Sequence, residues 1–302
     1  MQRRIQLVLD DFKAFDLQRD GVRIHGRTGG QGQPLLLLHG HPQTHVIWHR
    51  IAPLLARHFT LVMLDLRGYG DSGRPPADER HGAYSKREMA LDAVAAMQHL
   101  RFDRFNVLAH DRGARVAHRL AADHPDRAER LMFLDIAPTL SMYEQTDREF
   151  ASAYWHWFFL IQPPPLPEAL IESDPSRYVR SVMGGRHAGL APFAPEALAE
   201  YERCLGLPGS ARALCEDYRA SASIDLEHDR ADIAAGLRLQ QPLRVLWGEH
   251  GVVGRCFDVL ALWRERADVV SGQSLPCGHY IPEEAPDLLA REAVSFFKED
   301  KP

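Results

Sequence analysis

Five short, mostly apolar runs punctuate the chain at 34–39, 59–65, 105–109, 131–135 and 243–248, and none alternates with polar residues. Between them, apolar residues recur with helical spacing at 85–101 and 112–123, and again at 283–298 near the end. A strand without alternation has no face for water, so it must be covered on both sides. Such strands separated by helices predict an α/β domain built on a mostly parallel sheet flanked by helices. From about 140 to 235 the strand rhythm disappears. That stretch carries the aromatic run Tyr154-Trp155-His156-Trp157-Phe158-Phe159, then the proline-rich Gln162-Pro163-Pro164-Pro165-Leu166-Pro167, then further helical pieces. The expectation is a helical cap inserted between two sheet strands, over the carboxyl ends where open α/β sheets bind ligands. This divides the chain into a core domain, 1–139 with 236–302, and a helical cap domain, 140–235.

Composition narrows the classes of partner. At 302 residues, 45% apolar and 25% charged, the chain is ordinary for a globular protein with one large domain and an insertion. A net charge of -5 at pH 7 gives no basis for binding nucleic acid, which needs a clear basic surplus. Cys204, Cys215, Cys256 and Cys277 have no CxxC spacing and suggest neither a zinc site nor a disulfide framework. The amino-terminal segment has a charged head, but its apolar run stops too soon for a signal peptide. No run approaches the roughly 20 apolar residues of a membrane helix. We therefore expect a soluble cytoplasmic protein with no membrane partner, no metal and no cofactor.

The segment 106–115 runs from a strand straight into a helix, with Ala109 and Gly113 two positions either side of Asp111. Small residues at those positions permit the sharp, strained turn of a nucleophile elbow, here with aspartate at its centre and Ala109 where glycine is usual. A carboxylate needs no base to ionise it and can displace a leaving group from saturated carbon, forming an enzyme ester. A helix N-cap is the competing role for such an aspartate. Arg112 and Arg115 lie in the first helical turn, where the macrodipole disfavours cations. Two guanidiniums there make a seat for a small carboxylate, unless they pair with Asp111 or with carboxylates of the cap.

Hydrolysis of an ester needs a base oriented by a carboxylate. Gly278-His279, just before the last helix, singles out His279 among 16 histidines. For its partner, Asp135 at the end of a strand is preferred over Glu249, because Gly251 occupies the usual acid position after the 243–248 strand. The order nucleophile, acid, base is then kept. The turn His39-Gly40-His41-Pro42 is placed to supply a backbone N–H to an oxyanion hole, at His41, with the N–H of Arg112 as the second donor. Arg67-Gly68-Tyr69-Gly70 lacks a third glycine and reads as a turn, not a dinucleotide site. His45, His49, His118 and His124 are expected to be solvated, with no metal-ligand set among them.

Nearly end to end, these residues resemble the fluoroacetate and haloacetate dehalogenases, a family with the α/β-hydrolase fold. The resemblance runs through His39-Gly40-His41-Pro42-Gln43-Thr44, Asp65-Leu66-Arg67-Gly68-Tyr69-Gly70-Asp71-Ser72, His110-Asp111-Arg112-Gly113, Tyr154-Trp155-His156-Trp157 and Cys215-Glu216-Asp217-Tyr218-Arg219-Ala220. It implies Asp111 as nucleophile, His279 as base, Asp135 as its partner, and Arg112 with Arg115 holding the substrate carboxylate. It also implies that His156, Trp157 and Tyr218 surround the leaving halide, and that the protein is a homodimer. All three halide-site side chains can donate a hydrogen bond. Two departures stand out. The family usually has phenylalanine where His41 stands, and a tryptophan in the cap segment matching 182–187 is missing here. An epoxide hydrolase is the nearest alternative, kept open by Tyr143, Tyr154 and Tyr178, and a non-catalytic receptor for a small acid is the alternative outside enzymes.

Overall fold

A computed structural model describes residues 8–298, so residues 1–7, weighed above as a leader, lie outside the described residues. Eight strands form one sheet: β1 (Lys13–Arg19), β2 (Val22–Gly30), β3 (Gln33–Leu38), β4 (Phe59–Leu64), β5 (Phe105–His110), β6 (Ala128–Leu134), β7 (Leu243–Gly248) and β8 (Val270–Leu275). Their spatial order is β1-β2-β4-β3-β5-β6-β7-β8. β2 is antiparallel to both β1 and β4, and every other pair is parallel. The five apolar runs are β3 to β7. Leu35, Leu36, Leu37 and Leu38 are wholly enclosed, and burying each such side chain is worth about 1.5–3 kcal/mol. The direction of winding changes around β3, which lies between β4 and β5, so the loops that leave the carboxyl ends of these strands part to form a crevice.

The helices Lys86–His99 and Arg112–Asp123 occupy the predicted spans. The 283–298 pattern is two helices, Ile281–Glu284 and Pro286–Lys298. Pro286 disfavours helical backbone at the residue before it, and Ala285 duly sits at φ -136°. Between β6 and β7 the chain forms eight helices, from Thr139–Glu144 to Ile224–Ala234. Ser210–Ser221 is the most deeply packed of them, with Asp217 and Tyr218 both buried. Among the described residues no helix is long and apolar enough to cross a membrane.

The solvated reading of the histidines fails for three of the four. His45 and His49 are buried. His118 stands edge-on to Trp263 with ring centres 5.2 Å apart, and burial pushes its pKa down to about 3. His45 donates its backbone N–H to Asp65 Oδ1 at 2.8 Å, and its Nδ1 lies at the same distance. Asp65 Oδ2 accepts from the Asp71 N–H. Ligand atoms of His25, His45 and Asp65 come within 4.8 Å of one another, a grouping sequence alone did not reveal. In this structure Asp65 uses its oxygens to fasten the two loops that follow β3 and β4.

Candidate active site

Asp111 follows β5 directly, with φ 47° and ψ -115°. A non-glycine residue there costs on the order of 1–3 kcal/mol, strain characteristic of functional sites. The turn is tight because the following helix approaches β3 closely. A Cβ on Gly113 would fall 2.4 Å from the carbonyl oxygens of Leu38 and His39, so glycine is required there. The helix-capping role is contradicted, since the Asp111 side chain makes no cap bond to its helix. Instead its Oδ1 accepts the backbone N–H of His41 at 2.9 Å. Burial alone would raise the Asp111 pKa. His279, His110, Arg115 and Arg112 together outweigh burial and hold the carboxyl well below its usual range, so it is ionised.

Asp135, after β6, also has positive φ, 53°. Its Oδ2 lies 2.6 Å from His279 Nδ1, and its Oδ1 accepts the Gly248 N–H at 2.9 Å. Glu249, the other candidate acid, is exposed. His279 is fixed from several sides. Glu284 accepts the backbone N–H groups of Gly278 and Tyr280, one either side of it, at 2.6 and 2.9 Å. His110 Nε2 lies 2.9 Å from the His279 carbonyl oxygen. Burial and the neighbouring His279 lower the His110 pKa to about 4, so its ring is neutral and donates to that carbonyl. With Nδ1–H turned to Asp135, His279 keeps Nε2 to accept a proton.

Both arginines are buried, and they are engaged differently. Arg112 Nε and Nη2 bind the Asp217 carboxylate at 2.9 and 2.8 Å, and Nη2 also reaches Ser221 Oγ at 2.8 Å. Pairing with a cap carboxylate was one of the two readings open from sequence, and for Arg112 it holds. The pairing leaves Arg112 Nη1 buried without a partner. Arg115 Nη1 donates to Thr139 Oγ1 at 2.8 Å, while its Nε is buried and unpartnered. Arg112 stacks over the Tyr218 ring and Arg115 over the Trp157 ring, at 4.1 and 4.8 Å.

Two of the three halide-site candidates, His156 and Tyr218, come together with His41, and Trp157 packs against Tyr154 and Arg115. His156 is stacked on His41 at 5.5 Å and lies 6.0 Å from Tyr218, both distances between ring centres. Trp157 Nε1, Tyr218 Oη, Tyr154 Oη and His41 Nδ1 are all buried with no hydrogen-bond partner among the described residues. Burial lowers the His41 pKa to about 3, and burial with Arg186 nearby lowers that of His156 well below its usual value. Both rings are therefore neutral. His41 Nε2 also lies 3.2 Å from the Tyr178 hydroxyl.

Sequence reasoning missed Asp217, which anchors Arg112, Tyr69 and Lys86 at once. The available signal was the acidic residue beside Tyr218 facing two arginines in a helix's first turn. Asp217→Asn should leave two buried cations short of a counter-charge and destabilise the fold by about 3–5 kcal/mol in chemical denaturation. A second missed group is Glu283, whose Oε1 accepts from Tyr201 Oη at 2.5 Å and Gln43 Nε2 at 3.0 Å. Burial raises its pKa from 4.5 to about 8. Above pH 4.5 the unfolded chain loses this proton while the folded chain keeps it. Stability is thus full below pH 4.5 and falls as pH rises through about 8. Glu283→Gln should flatten that slope in denaturation curves measured across this range.

An aspartate elbow at the head of a central strand, served by a histidine from the loop after β8, is the arrangement of an α/β-hydrolase. Residues 33–191 match the family model for the alpha/beta hydrolase fold. The chain is 43% identical to a fluoroacetate dehalogenase from Burkholderia sp. over 279 residues, 92% of this chain and 91% of the other. It is 36% identical to a soluble epoxide hydrolase from Corynebacterium sp. (strain C12), over 92% of this chain and 94% of that one. A crystal structure described as an alpha/beta hydrolase from Nostoc sp. PCC 7120 superposes with a TM-score of 0.94 at 54% identity, covering 96% and 99% of the two chains. The chain belongs to the fluoroacetate and haloacetate dehalogenase family of the α/β-hydrolase superfamily and is a hydrolase.

Proposed function

We propose that this hydrolase removes halide from haloacetates such as fluoroacetate and chloroacetate, giving glycolate. One observation carries the reading: buried donors without partners, Arg112 Nη1, Arg115 Nε, Trp157 Nε1 and Tyr218 Oη, on side chains stacked in pairs beside the ionised Asp111. Two cationic donors match a carboxylate, and two neutral donors match a departing halide. The substrate carboxylate rests on Arg112 and Arg115, and the halogen points to His156, Trp157 and Tyr218. Asp111 Oδ1 is occupied by the His41 N–H, so Oδ2 attacks the alpha carbon. The carbon–halogen bond breaks with its electron pair on the halide. His279 Nε2 then takes a proton from water, whose oxygen adds to the ester carbonyl while the His41 N–H, with that of Arg112, stabilises the oxyanion. On collapse the ester C–O bond breaks, the departing oxygen takes the proton back from His279 as glycolate leaves, and the remaining proton passes to solvent as the Asp111 carboxylate is restored.

Arg112→Ala should weaken haloacetate binding by about 1.5–3 kcal/mol, the worth of a charge-assisted hydrogen bond. Steady-state kinetics on chloroacetate would show this as a raised KM, and unchanged kinetics would remove Arg112 from the site.

Epoxide hydrolysis is the second reading, favoured by the unpartnered hydroxyls of Tyr154 and Tyr218, which would activate an epoxide oxygen. The deciding experiment measures fluoride and chloride release from the two haloacetates by purified protein, with styrene oxide run alongside. Halide release supports the proposal. Diol from styrene oxide without halide would replace it with the second reading.

A further inference from the structure

Arg186 has no part in the chemistry above. It follows the Pro175–Gly184 helix, and its neighbour His187 meets His250 of the core, ring centres 4.3 Å apart, so this cap segment closes onto the loop after β7. Its guanidinium carbon stands 4.3 Å from the centre of the Tyr154 ring. The same ring lies 5.4 Å from His156 and 6.3 Å from His279. Arg186, the proposed base His279 and the proposed halide donor His156 thus all border the one Tyr154 ring. The polar atoms nearest Arg186 are neutral: Nη1 has a long 3.4 Å bond to the Ala153 carbonyl, and the Tyr280 hydroxyl is beside it. The Asp111 and Asp135 carboxylates act on it only from beyond contact, and with the two tyrosines they outweigh burial and keep it charged. Nε is buried without a partner. Several buried arginines hold carboxylates, as Arg67 does Asp92, Arg119 does Asp232 and Arg219 does Glu168, whereas Arg115 of the candidate site, like Arg186, contacts none among the described residues. Among the described residues Arg186 has no carboxylate within ion-pair distance.

A desolvated cation with no carboxylate in contact is costly, and a ligand anion that contacts it offsets that cost. Arg112 lies over the Tyr218 ring and Arg115 over Trp157, whereas Arg186 lies over a third ring, Tyr154. We infer that Arg186 is a second anion seat, and that the preferred substrate is a short α-halogenated dicarboxylate. This rests on the haloacid reading above. The first carboxylate takes the Arg112 and Arg115 donors, and the second, beyond the halogenated carbon, reaches Arg186. With 2-chlorosuccinate, Asp111 Oδ2 bonds to C2 as the C–Cl pair leaves as chloride. Water then hydrolyses the ester to 2-hydroxysuccinate, one proton being released.

The test compares chloroacetate and 2-chlorosuccinate in the native protein, Arg186→Met and Arg186→Lys, alongside titration with succinate and acetate as non-reacting probes. Arg186→Met should lower kcat/KM for the dianion about tenfold more than for the monoanion, with partial recovery in Arg186→Lys. Succinate should lose affinity in Arg186→Met by a similar factor relative to acetate. Equal losses for both substrates, or a native protein that dechlorinates chloroacetate but not 2-chlorosuccinate, would overturn the inference and leave the haloacid reading intact. Halide from neither substrate would overturn that reading, and the succinate titration would still decide for or against the second seat.

Discussion

Asp111→Asn should remove halide release from freshly purified protein, a loss of roughly ten-thousandfold or more in kcat, the scale on which enzymes lose a covalent nucleophile. The amide is neutral and its nitrogen is a poor nucleophile, so neither halide displacement nor ester formation can begin. The fold should tolerate the change. Asn keeps an oxygen to accept the His41 N–H, is nearly isosteric with Asp, and is among the few residues that adopt positive φ readily. Thermal unfolding of the variant beside the native protein, together with halide assays on chloroacetate, checks both halves. Near-native turnover would show that the carboxylate at the elbow is not the attacking group.

His279→Asn should separate the two chemical steps. Displacement at carbon does not require the histidine, because without it His110, Arg115 and Arg112 still hold the Asp111 carboxyl low and ionised. Hydrolysis does require it, since only Nε2 of a ring held by Asp135 at 2.6 Å is placed to take the proton from water. The variant should release one equivalent of chloride per protein and then stop. Intact-protein mass should rise by one carboxymethyl group, and peptic digestion should place that added mass only on the peptide holding Asp111. Continuous turnover by this variant would give the base role to another group, with His110, whose ring lies 4.8 Å from that of His279, as a candidate.

The central strands were legible because each is buried on both faces and has almost no polar residue. β1 was not, because its residues alternate between exposed and half-buried and include Lys13, Asp16 and Arg19. β8, with sequence VSGQSL and only Leu275 buried, carries no apolar signal at all. Both lie at sheet edges, where one partner strand and local turns set the pairing. The site divides along a similar line. Asp111, Asp135 and His279 were readable because strand ends and the small residues Ala109 and Gly113 around the elbow fix where such residues stand along the chain. The partners that tune them were not. Asp217 meets Arg112 across 105 positions and Lys86 across 131, and nothing local marks a carboxylate that will be buried. Arg186 lies in a segment whose sequence suggests only a helix end, and its placement over Tyr154 depends on how the cap closes.

The most direct test of an aspartyl-ester hydrolase is a single turnover of chloroacetate by excess native protein in heavy-oxygen water. The account predicts that the first glycolate carries ordinary oxygen, taken from Asp111, while the heavy atom enters the Asp111 carboxylate and reaches product only in later turnovers. Heavy oxygen in the first glycolate would mean that water attacks carbon directly, and the nucleophilic role of Asp111 would fall.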